Sequence, residues 1–193
     1  MKALSKFILA MTVVGFFAAC NATDNFEIEN ADSFKHHENK MVELGFNVVF
    51  KGEYQLPPDA EEPCGPGTFR VHNTGEGTGT HFKKLTSYFD FCVQPSATGG
   101  TYPEGYIVAY FEDENGDRLD VYVSGEVIGG RVPGMPNYAL SYFKDPFYII
   151  GGTGKFENAS GEGVTNDYNF IGKDGVQRTS HHWQGKIMMK KGK

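Results

Sequence analysis

The sequence predicts an all-β protein, a single antiparallel β-barrel of about eight strands behind a signal peptide and a flexible tether. Three observations predict it. From Met41 onward, short runs of alternating apolar and polar residues recur between glycine-rich breaks, and no stretch sustains an amphipathic helix beyond about two turns. One unit, "YIVAYFEDENGDRLDVYVSGEV", sets two runs rich in Val, Ile, Tyr and Phe on either side of Asn115-Gly116, a dipeptide whose positive φ angles suit a tight turn between antiparallel strands. Finally, about nine candidate strands fall in one domain, and an open sheet of that size leaves unpaired edges, so it becomes a sandwich or a closed barrel.

Residues 1–19 read as a removable leader, because Lys2 and Lys6 precede an apolar run from Phe7 to Phe17 that ends in Ala18 and Ala19. The run is shorter than the roughly eighteen residues of a membrane span. Cys20 follows at once, and "FAAC" resembles the lipobox of bacterial lipoproteins. That resemblance implies an acylated Cys20 as the mature N-terminus, anchored in membrane lipid, and places the chain in the bacterial cell envelope, at the outer membrane. Acyl chains on one cysteine suffice for stable anchoring without a spanning helix.

Residues 20–40 continue as "NATDNFEIENADSFKHHENK" after the cysteine, polar and charged with no sustained period, and are expected to form a tether. His36 and His37 lie in it, where adjacent histidines lack the preformed frame of a metal site. With Cys20 carrying lipid, the three cysteines leave one pair, Cys64 and Cys92. An oxidising compartment favours a bridge between them, worth about 3.5 kcal/mol on chain-entropy grounds, and the alternative is two buried free thiols. The whole chain has a formal charge of −6, and removing a leader with two lysines makes it about −8, which argues against nucleic acid as a partner.

Residues 41–193 form the barrel domain. Its strand candidates are "LGFNVVFKGEYQL", "TFRVHN", "LTSYFDFCV", the two arms of the Asn115-Gly116 hairpin, "NYALSYF", "PFYII", "EGVTNDYNF" and "VQRTSHHWQGKIMM". Between two of them lies "IIGGTGKFENASGEG", a glycine-rich run with one lysine, as a phosphate cradle has. It fails that test, because Phe156 stands after Lys155 where a P-loop needs Ser or Thr, and no strand-helix-strand rhythm surrounds it. Gly151, Gly152, Gly154 and Gly161 are therefore turn and packing devices.

The segment "GGTGKFENASG" resembles an element of the allene oxide cyclase and dirigent type of β-barrel, where it bends between two strands near one barrel end. "GEGTGTHFKKLTS", between Cys64 and Cys92, resembles the glycine-rich strand with a histidine found in secreted bacterial members of that group. The resemblance spans roughly residues 64 to 190 and implies a closed barrel. It carries over no catalytic residue, since the matching positions are glycines, a phenylalanine and one histidine.

His81 alternates with Thr80 and Phe82 and either lines a lumen or bonds within a wall. On the last strand, placing Trp183 and Ile187 in the core brings His181 inward and turns Arg178, His182, Gln184 and Lys186 outward, because alternation sends neighbours to opposite faces. His81 and His181 are the histidine pair to consider for a lumen site, although ligation or catalysis would also need a carboxylate or cysteine. Asp113, Asn115 and Asp117 have the alternate spacing of a calcium loop, but the run enters a strand at Val121, and a hairpin tip explains the same residues. No metal or cofactor is expected.

The aromatic surplus of sixteen Phe, ten Tyr and one Trp either packs the barrel solid or lines a hollow for a flat or lipid-like molecule. The function expected is a non-enzymatic envelope module that binds a small apolar ligand or a partner surface. The alternative is a cyclase or isomerase acting on an unsaturated or aromatic substrate held in the lumen, with His81, His181 or a tyrosine moving a proton.

Overall fold

The computed structural model describes residues 40–55 and 64–191. Residues 1–39, which hold the leader, Cys20 and the tether histidines, lie outside them. All the strands belong to one unit, His37–Lys193. They are β1 (Met41–Gln55), β2 (Phe69–Gly79), β3 (Phe82–Ser96), β4 (Gly99–Thr101), β5 (Ile107–Asp113), β6 (Arg118–Val123), β7 (Glu126–Gly129), β8 (Ser141–Phe143), β9 (Pro146–Gly152), β10 (Ser160–Thr165), β11 (Asp167–Ile171) and β12 (Gln177–Lys190), with one 3-10 turn at Gly154–Phe156.

Pairing closes a ring of antiparallel neighbours in the order β1-β2-β3-β5-β6-β9-β10-β12 and back to β1. The short strands β4, β7, β8 and β11 make a second path from β3 to β12 at the other end, each prolonging one of β5, β6, β9 and β10. The molecule is thus a barrel of eight long staves, four of them interrupted midway. Twelve strands stand where about nine candidates were expected, because two candidates are split and β4 lies outside them all. "EGVTNDYNF" is two strands parted at Asn166, and "RLDVYVSGEV" is two parted at Ser124-Gly125.

Alternation holds along the walls. In β1, Phe46, Val48 and Phe50 are buried while Val49 and Lys51 are exposed. The inward aromatics meet ring to ring, with Phe50 and Phe111 centroids 5.3 Å apart, Phe111 and Trp183 5.2 Å apart, and Phe147 and Trp183 4.9 Å apart. Full burial of such rings gains about 2–3 kcal/mol each and makes this half of the barrel solid.

The glycine-rich run closes that solid end. Phe156, on the 3-10 turn, is fully buried and packs on Phe82 at 4.9 Å. Gly152 is required by close approach, since a Cβ there would lie 2.1 Å from the Arg118 carbonyl oxygen. Lys155, the residue that gave the run its phosphate-binding look, instead pairs with the carboxylate of Asp113 on the β5–β6 hairpin. Asp113 also accepts the backbone N–H groups of Asn115 at 2.8 Å and Asp117 at 3.0 Å, so it caps the hairpin. Burial pushes the Asp113 carboxyl up, but the Lys155 ammonium and these two amides outweigh it and hold it below the usual carboxylate range. Only Gly116 of the Asn-Gly pair takes a positive φ, at 81°, which is a longer loop than the two-residue turn expected. Cys64 and Cys92 form a disulfide, with Cα atoms 5.5 Å apart, that ties the segment before β2 to β3.

Candidate functional site at the open end of the barrel

The interrupted staves place polar groups inside the lumen. Asp145 lies in the gap between β8 and β9, and its Oδ1 accepts the Glu126 backbone N–H at 3.2 Å, while Oδ2 accepts the Tyr102 hydroxyl at 3.1 Å. Its own N–H donates to Thr165 Oγ1 at 2.9 Å, and its carbonyl accepts the Thr165 N–H at 2.9 Å. These bonds replace ladder bonds lost where the staves break. Gly125 makes room for the carboxylate, because a Cβ there would lie 2.0 Å from Asp145 Oδ1.

Burial pushes the Asp145 carboxyl up to about 6, with the Asp167 charge adding to it and the Glu126 amide and Tyr102 hydroxyl opposing it. Burial, reinforced by the Asp145 charge, holds the Tyr102 proton well above the usual phenol range. Tyr54 is likewise pushed up to about 12 by burial, against a hydrogen bond that it donates to Asn169.

Asp167 opens β11. Its Oδ2 accepts from His181 Nδ1 at 2.7 Å and from Trp183 Nε1 at 2.8 Å, and its Oδ1 accepts the His182 backbone N–H at 3.0 Å. A carboxylate only accepts, so the network assigns a proton to His181 Nδ1, and in that tautomer Nε2 is an acceptor. The imidazole stacks on Phe50, with centroids 4.2 Å apart and planes 10° apart.

These groups surround a chamber of about 40 Å³, lined by Tyr54, Asn73, Tyr102, Asp145, Asp167 and His181 among others. It has room for about three waters. Above it opens a mouth of about 400 Å³ whose apolar walls include Phe69, Val71, Phe91, Val93, Val127 and Phe143. The two share Tyr54, Val71, Phe91 and Phe143, so the small chamber forms the floor of the mouth, with a mostly apolar surface and the polar groups set just behind it. The choice between a solid and a hollow barrel thus resolves by half: one end is packed, the other open.

Of the two histidines singled out in the sequence, the structure places His181 in this floor. His81 lies in the turn between β2 and β3, with Nε2 2.9 Å from the Gly45 carbonyl oxygen, and is not brought to His181. Arg178, on the outer face of β12 as alternation requires, pairs with Glu53 and Asp174. Sequence reasoning missed Asp145, Asp167, Tyr102 and Asn73. The parity of β11 could have found Asp167, but Thr165, Asp167 and Asn169 carry no apolar residue to mark that face as inward. "KDPF" around Asp145 reads as a turn.

Strand order and packing together define an eight-staved barrel, packed at one end and, among the described residues, hollow at the other. No protein-family model matches the chain, and no curated protein matches it in sequence. Among solved structures it is similar to the pterocarpan synthase dirigent protein GePTS1, at 12% identity over 86% of this chain and 99% of that chain, with a TM-score of 0.42.

Proposed function

We propose that this chain is an envelope lipoprotein, anchored through acylated Cys20, whose barrel receives a small ligand with an apolar body at its open end. The observation that carries the binding reading is the mouth of about 400 Å³ narrowing onto a floor with polar groups set just behind its surface. Apolar walls with a few convergent polar groups are the usual make-up of a ligand site, and the volume lies within the usual range of about 300–1,000 Å³. Native mass spectrometry of the full chain tests it: an added mass that leaves on denaturation is expected, and it should be lost in Val71→Trp, which fills the mouth. A bare protein in both cases, with no small molecule displacing any lumen signal in NMR titrations, overturns the reading. Labelling with a fatty acid, lost in Cys20→Ser, tests the anchor separately.

A second reading is favoured by one feature, the Asp167-held His181 beside the chamber, its Nε2 buried without a partner among the described residues. A base positioned by a carboxylate is the arrangement that moves a proton, and it supports a cyclase or isomerase acting on an unsaturated or aromatic substrate. If this reading holds, turnover of the bound molecule is lost in His181→Gln while its binding persists.

A further inference from the structure

Two buried acceptors at the floor of the mouth have no donor among the described residues. They are Nε2 of His181, whose side chain is 9% exposed, and Oδ1 of Asn73, a residue 3% exposed. Leaving a buried acceptor without a donor is costly, so native structures rarely do it. Both residues line the small chamber, together with Asp145 and Asp167. Asn73 Nδ2 already points to Thr179 Oγ1 at 3.4 Å, and His181 Nδ1 is committed to Asp167. In the Nδ1–H tautomer both free positions accept.

The charge balance points the same way. Asp167 has three donors around it, whereas Asp145 has two neutral donors and no ion pair among the described residues. Among the described residues no lysine or arginine lines the small chamber, and Arg70, which lines the mouth above it, pairs with Asp90. About half of its remaining walls are aromatic: Tyr54, Phe89, Phe91, Tyr102, Phe143 and Trp183. Aromatic faces attract a desolvated cation, and a buried carboxylate without a counter-ion does so more strongly.

We propose that the floor of the barrel mouth binds the ammonium group of a small organic amine, whose aromatic or short aliphatic body lies against the apolar walls above. An ammonium carries three donors and a positive charge, which match His181 Nε2, Asn73 Oδ1 and the Asp145 carboxylate. An alcohol of the same shape brings one donor and no charge. A carboxylate brings no donor at neutral pH and meets two acids. The floor holds about three water-sized groups, which suits a compact head but not a bulky one. This rests on the ligand-binding reading above and adds the chemistry of the head group.

The test titrates the full chain at pH 7.5 and low salt with benzylamine, benzyl alcohol and benzoate, followed by calorimetry and by NMR of lumen residues. Benzylamine is expected to bind at least tenfold more tightly than benzyl alcohol, and benzoate not to bind. Asp145→Asn, whose Oδ1 can still accept the Glu126 amide, should bring the amine to within threefold of the alcohol, and Val71→Trp should abolish binding of both. Alcohol binding as tight as the amine in the native chain overturns the amine head while the pocket stands. Amine binding that survives Val71→Trp belongs to the acidic surface and also overturns it. If none of the three probes shifts a lumen signal, the binding reading falls with it. Should Asp145→Asn not fold, the ranking in the native chain decides alone.

Discussion

Asp145 shows how one residue serves two ends. Its carboxylate mends the ladder at the break between staves, and its burial leaves a carboxyl with no ion pair among the described residues. Because its folded pKa of about 6 exceeds the ordinary carboxylate value near 3.8, the folded state holds a proton that the unfolded state has lost between those values. The stabilising contribution is then fully present below about pH 4 and is lost as pH rises through about 6, amounting to about 3 kcal/mol for a shift of about two units. Urea unfolding of the native chain and Asp145→Asn from pH 4 to 8 checks this: their stability difference should change by about that amount across the window, in favour of the variant at high pH. A difference that stays flat with pH would place the Asp145 carboxyl in an ordinary aqueous environment. The floor was only partly legible in the sequence. His181 could be turned inward by reference to Trp183 and Ile187, whereas Asp145 and Asp167 sit where strand and turn signals fail.

At the level of elements, the glycine-rich run and its lysine do structural work that the sequence had already separated from phosphate binding. The 3-10 turn exists to drive Phe156 into the barrel end. Phe156→Ala should cost about 3–5 kcal/mol, read from the shift of the urea midpoint, because the packed end cannot collapse onto the void. Two glycines on strands make a sharper comparison. Gly45→Ala meets nothing within 4 Å and should be neutral within about 0.5 kcal/mol, while Gly152→Ala puts a methyl 2.1 Å from the Arg118 carbonyl oxygen and should cost about 1–3 kcal/mol or more. Equal effects would mean that the β6–β9 approach is looser than its register implies. The hairpin at Asn115-Gly116 was readable from two residues, but its length was not. The Asp113 side chain, held by Lys155 from a different loop, selects the longer tip.

For the whole molecule, closure and the disulfide are the stabilising devices that act through topology. A ring of eight staves has no free edge to recruit another chain. Replacing Cys64 and Cys92 by alanine should lower stability by about 3.5 kcal/mol with little change in the far-ultraviolet spectrum, since the bridge acts mainly on the unfolded chain. On the proposed lipid anchor, Cys20→Ser should move the protein from the membrane fraction to the soluble one. Retention in the membrane fraction would mean that attachment does not run through the lipid.

Local or repetitive features were legible in the chain's own order of residues: an all-β chain of alternating runs, the inward turn of His181, the hairpin at Asn115-Gly116 and the missing hydroxyl that separates Gly154-Lys155 from a nucleotide loop. These follow from period, turn chemistry and motif completeness, which a few neighbouring residues are enough to express. Only the tertiary structure decided that four staves break midway, that the barrel is packed at one end and open at the other, and that Asp145, Asp167, His181 and Asn73 meet around one small chamber. Those residues come from β2, the gap between β8 and β9, β11 and β12, and what unites them is the closure of the ring. No window of sequence contains that contact, because it is made by strands paired across the whole chain.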